Sequence, residues 1–244
     1  MGRIEPDMSV FAQIRKQPEF SEQLWQYINR RVSDWRISAG KEALQKNRSL
    51  FDRIEKDFGV ERGTLLALWG VESAYGDPLV QQNHMRPVFP SLAALAWREP
   101  RRRVYWETEL INALKIVQRG WSTPTEMRGS WAGAMGHTQW MPEVWLNVGF
   151  DYDGDGRVSP FGKPDDALGS TARYLVKRGK YHRNEHWGFE VRLPGGASEG
   201  SRSYAAWSAA GVTRADGKPF PHPNASARLW TPVQGGPSFL LGPN

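Results

Sequence analysis

The sequence predicts a mainly helical α+β protein, with a helical body over residues 1–182 and a small β subdomain over 183–241. Three observations carry that expectation. Apolar residues recur every three to four positions from Phe20 to Ile54 and in several later stretches, the period of an amphipathic helix. Short strand-like runs separated by turn residues begin only after Lys180. The 244 residues, 39% of them hydrophobic, are enough to bury a sizeable core.

Taken in order, Phe20, Leu24, Tyr27, Ile28, Val32 and Trp35, then Leu44, Leu50, Phe51 and Ile54, read as the apolar faces of two helices. Pro18 and Ser21 suit their start, and Gly40 is where the break is expected. Gly59 and Gly63 bracket a turn before a helix carrying Leu65, Leu68 and Trp69 on its apolar side. Further helices are expected at about 91–97, 102–119, 142–148 and 165–178. In the last quarter, 189–193, 227–230 and 238–241 read as strands, with one short helix around 204–210. No internal repeat is visible.

Composition excludes several functions. With no cysteine there is no disulfide framework, thiol nucleophile or cysteine metal site. The amino terminus lacks the layout of a signal peptide, and no apolar run reaches the length of a membrane span. A net charge of +6 favours an anionic partner without saying which: nucleic acid, anionic lipid or a carboxylate-bearing wall polymer. Twelve tryptophans are a heavy load: most suit the core, and any beyond its needs offer flat apolar faces that suit sugar rings or bases. Arg101, Arg102 and Arg103 open a helix, where the dipole disfavours cations; they read either as a solvated helix end or as a cluster with a use.

Glu72 falls in line with Leu65, Leu68 and Trp69, so a carboxyl stands where the pattern wants a leucine. Apolar surroundings raise the pKa of a carboxyl and let it keep a proton near neutral pH, as cleavage of a glycosidic bond requires. Glu107 falls equally in register with Leu110, Ile111 and Leu114, so periodicity nominates two acids; the glycines around Glu72, at 70 and 76, separate them. A second block, Arg128 to Pro142, holds three glycines within eight residues, suited to close backbone approach in a binding cleft or to a tight loop in the core. No Gly-Lys-Ser/Thr ending is present, so it is not a phosphate loop.

A third block, Asp151 to Ser159, places Asp151, Asp153 and Asp155 at positions 1, 3 and 5 of an EF-hand-type loop, with Gly156 at 6 and the Arg157 carbonyl at 7. Position 12 is Gly162 in place of a carboxylate. Asp165 is the candidate to swing back to a structural calcium ion that would fix the loop; the other reading is a solvated acidic turn.

Gly70-Val71-Glu72-Ser73-Ala74-Tyr75-Gly76, then Gly129-Ser130-Trp131-Ala132-Gly133-Ala134-Met135-Gly136 with Gln139-Trp140-Met141-Pro142, then Asp166-Ala167-Leu168-Gly169-Ser170-Thr171-Ala172-Arg173-Tyr174, resemble the successive motifs of the membrane-bound lytic murein transglycosylase B family. Gln17-Pro18-Glu19-Phe20 and Val32-Ser33-Asp34-Trp35-Arg36 extend the similarity to nearly the whole chain. The resemblance implies a lysozyme-like helical core with a small β subdomain inserted late. It also implies cleavage of the bond from N-acetylmuramic acid to N-acetylglucosamine in peptidoglycan, leaving 1,6-anhydromuramoyl ends. Glu72 would be acid, then base. Positions matching Ser130 and Gln139 lie beside the acid in the family, and those matching Arg101, Arg102 and Tyr174 line the cleft. The arginines then have ligands in the lactyl and peptide carboxylates. Tyr75, Trp131 and Trp140 suit sugar faces or core packing alike.

The same resemblance implies a periplasmic, monomeric enzyme with no organic cofactor and no nucleic-acid partner, joined to a membrane only through an upstream segment. Arg173 stands where the family has asparagine. The family pattern runs past Asn244 into a helix with a Tyr-Asn-x-Ser-x-x-Tyr motif, and the region before Pro18 is short, so a shortened chain is expected. Two other readings remain: a hydrolysing muramidase, and a peptidoglycan-binding module without turnover.

Overall fold

Apolar stripes and glycine stops produce most of the helices. The computed structural model describes residues 4–14, 22–77, 85–195 and 197–244. In chain order the first elements are α1 (Val10–Ile14), α2 (Leu24–Arg31), α3 (Asp34–Lys46), α4 (Arg48–Phe58) and α5 (Arg62–Ser73). After them come β1 (Arg86–Pro87), α6 (Val88–Arg98), α7 (Arg103–Gln118), β2 (Arg128–Gly129), α8 (Pro142–Asn147) and α9 (Asp165–Lys177). The last quarter holds β3 (Gly188–Arg192), β4 (Gly200–Ser203), α10 (Tyr204–Ala209), β5 (Thr213–Arg214), β6 (Ser226–Trp230) and β7 (Ser238–Leu241). The protein is thus α+β and mainly helical, as expected.

Three clusters of buried side chains hold it together. The first gathers Val88, Leu92 and Leu95 of α6, Trp106, Ala113 and Ile116 of α7, and Trp140 and Trp145. The second joins Leu50, Phe51 and Ile54 of α4, Leu65 and Trp69 of α5, and Leu168 and Ala172 of α9. Each large apolar side chain removed from water in this way contributes about 1.5–3 kcal/mol. The third lies between α10 and an antiparallel sheet of order β4-β6-β7-β3-β5. In that sheet Leu229 pairs with Leu240, and Leu240 with Phe189, so one face is apolar by the strand period. Asn184 N–H bonds the Gly59 carbonyl (2.8 Å), and His186 Nδ1 lies 3.0 Å from Glu61 Oε1, tying the segment before the sheet to the turn ahead of α5.

The stretch before residue 59 differs from expectation. The Pro18, Ser21 and Phe20 features lie outside the described residues. Three helices, not two, cover 24–58, and the breaks fall at Ser33 and Asn47. Ser33 caps α3 by accepting the Arg36 N–H (3.3 Å). Gly40 lies buried inside α3, where a Cβ would come within 2.5 Å of the Tyr75 hydroxyl; glycine is there for close approach, not for a turn. Gly59 does end α4, with left-handed φ of 65°, but Gly63 is inside α5. Leu24, Ile28, Val32 and Trp35, read as a core-facing stripe, are exposed, and α2 buries no residue.

Helix α7 is rotated from the expected face. Its buried side carries Trp106, Glu109, Asn112, Ala113 and Ile116, while Ile111 and Leu114 face solvent and Glu107 pairs with Arg103 at 2.8 Å. The small Ala113 and the aromatic Trp106 pack in the first cluster, and polar Glu109 and Asn112 are carried inward with them.

Candidate functional site

The end of α5 is built under constraint. Ala74, Tyr75 and Gly76 follow Glu72's helix with φ of 52°, 62° and 77°, and two of these three left-handed residues are not glycine. Such backbone costs on the order of 1 kcal/mol or more per residue and persists only where surroundings impose it. Here the Tyr75 hydroxyl donates to the Arg36 carbonyl (3.0 Å), and its ring meets Trp69 edge-on at 5.8 Å. Gly40 and Gly70 leave room for that ring. Ser73 Oγ donates to the His137 carbonyl (2.6 Å) and accepts from Gly76 N–H (3.0 Å). His137 is buried; its Nδ1 accepts from Trp69 Nε1 (3.1 Å), so its Nε2 carries the proton donated to the Gly162 carbonyl (2.8 Å). Burial holds its pKa below the ordinary histidine value.

The glycine-rich loop docks against this turn. Gly129 pairs with Met135, and Met135 with Trp140, closing a tight fold in the loop. Ser130 Oγ accepts the N–H groups of Ala132 and Ala134 (3.3 and 3.2 Å), bracing the loop from within. Gly136, at φ 74°, lies against the Pro160 backbone, which a Cβ would strike. Gln139 has φ 52° and donates through Nε2 to the Gly136 carbonyl (3.0 Å). Trp140 Nε1 donates to Thr171 Oγ1 of α9 (3.3 Å), which lies 2.8 Å from Thr138 Oγ1.

These pieces enclose a cavity of about 260 Å³ at the seam between the first two core clusters. Leu68 and Glu72 reach it from α5, Thr138 to Met141 from the loop, Val144 from α8, and Thr171, Tyr174 and Leu175 from α9. Glu72 is not buried in the core, as its place in the apolar stripe suggests, but opens onto this cavity as an exposed residue. Its pKa is nonetheless raised, first by the protein packed around its other sides and against the lowering pull of Arg31. The exposure describes the open side and the shift the crowded ones. No described residue donates a hydrogen bond to its carboxylate.

Of the residues singled out from sequence, Glu72, Gln139, Trp140 and Tyr174 meet at the cavity. The others lie elsewhere. Tyr75 stands behind α5, Ser130 turns into its own loop, and Trp131 packs half-buried against the first cluster. Arg101 and Arg102 are exposed, their N–H groups donating to Glu99 Oε2, and the Arg102 guanidinium sits 4.3 Å from the ring centre of Tyr105. Glu109, which sequence reasoning passed over, is 3% exposed, the most buried carboxyl among the described residues. It accepts the Glu143 N–H at the start of α8 (2.9 Å), and burial raises its pKa.

The acidic loop also takes shape. Oxygen atoms of Asp151, Asp153 and Asp155 converge within 4.8 Å. Asp151 accepts the N–H groups of Gly154, Asp155 and Gly156 (2.7, 3.1 and 2.8 Å). Asp165, expected to swing back to this cluster, instead pairs with Arg53 of α4 at 3.0 Å, because it opens α9 on the side facing α4. The carboxylate that closes the loop is its neighbour Asp166, which accepts from Tyr152 and Ser159 N–H (2.6 and 2.9 Å).

The profile described as transglycosylase SLT domain matches residues 1–244. The membrane-bound lytic murein transglycosylase B of Escherichia coli is 31% identical over 128 residues, 52% of this chain and 34% of that protein. SltB3 from Pseudomonas aeruginosa, solved in complex with NAG-NAM-pentapeptide, superposes with a TM-score of 0.83 at 35% identity, covering 98% of this chain and 65% of that one. Slt35 of Escherichia coli, solved in complex with calcium, shares the fold, with a TM-score of 0.72 at 24% identity over 96% of this chain and 73% of that one. The common fold is the lysozyme-like one. This chain spans about a third of the first relative's length and just under two thirds of SltB3.

Proposed function

Because this chain belongs to the transglycosylase SLT domain family, we propose that it cuts peptidoglycan glycan strands between N-acetylmuramic acid and N-acetylglucosamine without adding water. The observation that carries the reading is that, among the described residues, Glu72 is the one carboxyl lining the cavity, with a raised pKa and no donor committed to it. A two-carboxylate hydrolase would need a second one there.

Protonated Glu72 gives its proton to the glycosidic oxygen as the C1–O bond breaks. The C6 hydroxyl of the same muramoyl sugar then bonds to C1 and passes its proton to the Glu72 carboxylate, so the acid is restored and no water is consumed. The SltB3 complexes with NAG-NAM- and NAG-anhNAM-pentapeptide match substrate and product of such a step and support the reading. In it, Gln139 and Tyr174 contact the sugars, Ser130 braces the loop beneath them, Trp131 offers a sugar face, and Tyr75 fixes the turn after Glu72. Arg101 and Arg102 hold stem carboxylates. The substrate sets the place of action at the periplasmic face of a bacterial envelope. The helical body to about residue 182 carries the site, and residues 183–241 form a separate β subdomain. The protein acts as a single chain.

We assign a calcium ion to the acidic loop, held by Asp151, Asp153, Asp155 and the Arg157 carbonyl; the convergence of three carboxylates fits a hard cation. Asp165 joins this set only by leaving Arg53. The ion's contribution is rigidity between the Gln139 loop and α9. Calcium at a hundredfold excess over its dissociation constant then stabilises the fold by about 2.7 kcal/mol, read as a higher Tm than in chelator and lost in Asp151→Asn.

Digestion of purified sacculi tests the reaction. The expected products are muropeptides lighter by one water than hydrolysis products; reducing muramic acid ends instead would make the protein a muramidase. Sacculus binding without any release of fragments would leave only a binding module.

A further inference from the structure

A carboxyl that gives and then takes a proton within one turnover works best when its two forms lie close in energy at the working pH. Packing around Glu72 favours the protonated form, so something must stabilise the carboxylate once the proton has left.

Arg31, the last residue of α2, is placed to do so. One terminal nitrogen donates to the Val71 carbonyl (3.2 Å), in the last turn of α5 and next to Glu72 in the chain. The Arg31 carbonyl accepts from the Arg36 guanidinium (3.1 Å), and the Arg31 guanidinium rests 5.2 Å from the ring centre of Tyr27. Held this way, its Nε–H is buried and has no acceptor among the described residues. A buried donor without a partner is costly, and this one belongs to the guanidinium whose terminal nitrogen bonds the residue just before Glu72. Arg31 already acts on Glu72 at a distance, pulling its pKa down against the effect of packing. The other titratable group at the cavity is Tyr174 of α9; Thr138, Gln139 and Thr171 are neutral.

We propose that Arg31 is a positioning residue for the reaction, which holds the final turn of α5 and stabilises the Glu72 carboxylate formed after proton donation. This rests on the reading of Glu72 given above. Sequence reasoning missed the residue, because nothing in Asn29-Arg30-Arg31-Val32 distinguishes it from a solvated helix end.

The test compares wild type, Arg31→Gln, which keeps a donor for Val71 but no charge, and Arg31→Lys, which restores the charge. The pH dependence of kcat/KM on sacculi is measured for each, beside NMR titration of the Glu72 carboxyl. In Arg31→Gln the Glu72 midpoint and the basic limb of the profile move together to higher pH, and kcat at the wild-type optimum falls about two- to fivefold, the size of a half-exposed ion pair. Arg31→Lys recovers most of both shifts. An unmoved midpoint and limb, with activity lost only in proportion to folded protein, would overturn the proposal and leave Arg31 a strut; so would an Arg31→Lys variant no better than Arg31→Gln. Glu72→Gln keeps the two readings apart: if it still turns over, the role of Glu72 fails, while the midpoint shift in Arg31→Gln still reports on Arg31.

Discussion

Two places in the molecule hold a glutamic acid whose pKa is raised by burial, Glu72 at the mouth of the α5 cavity and Glu109 inside α7. They differ in what else the carboxyl must do. Glu109 is enclosed, and one oxygen already accepts the Glu143 N–H, which starts α8. Glu72 faces open volume, and no described residue spends a donor on it. A buried acid therefore does not identify a catalyst. The acid must also have oxygens uncommitted to the fold and reach a space that a sugar can enter. Asp166 belongs with Glu109: burial raises its pKa, and backbone N–H groups occupy it.

The comparison breaks most visibly in turnover. Glu72→Gln is expected to lose at least 10²–10⁴-fold in release of fragments from sacculi, at about unchanged Tm, because general acid–base action has that size. Glu109→Gln keeps an acceptor for Glu143 and retains activity. Equal impairment of the two variants per folded molecule would mean that Glu72 and Glu109 do not differ in role. In stability the order reverses. Glu109→Ala leaves the Glu143 N–H without a partner in a buried site and costs about 1–3 kcal/mol, on the order of 2–4 °C in Tm for each kcal/mol. The smallest effect is in pH dependence. The fold favours the protonated form of Glu109, so its stabilising contribution is complete below the ordinary value of 4.5 and is lost as pH rises through the raised value. Thermal melts of Glu109→Gln across that range are expected to fall less steeply with pH than those of the wild type.

Much of this was legible in the chain. The α5 pattern, the glycine blocks and the acidic loop are local, and the expected helices at 91–97, 102–119, 142–148 and 165–178 correspond to α6, α7, α8 and α9 with ends shifted by a few residues. What was not legible depends on distant partners. Gly40 reads as a stop until Tyr75, thirty-five positions on, is found to need the space. In the sequence of α7, Ile111 and Leu114 look more buried than Glu109 and Asn112, and only packing in the first cluster reverses that. Strand β4, Gly200-Ser201-Arg202-Ser203, has no apolar alternation; its order comes from pairing with β6. Asp165 and Asp166 are adjacent carboxylates at the start of α9, and their separation into an Arg53 partner and a loop closer follows from which face of the helix each occupies.

The central claim is that Glu72 alone runs a bond exchange within one sugar ring, with water excluded from the products. Digestion of sacculi in water labelled with heavy oxygen, followed by mass analysis of the muramoyl ends, addresses it most directly. The account predicts ends free of label and short by one water; ends carrying one labelled oxygen from the solvent would contradict it.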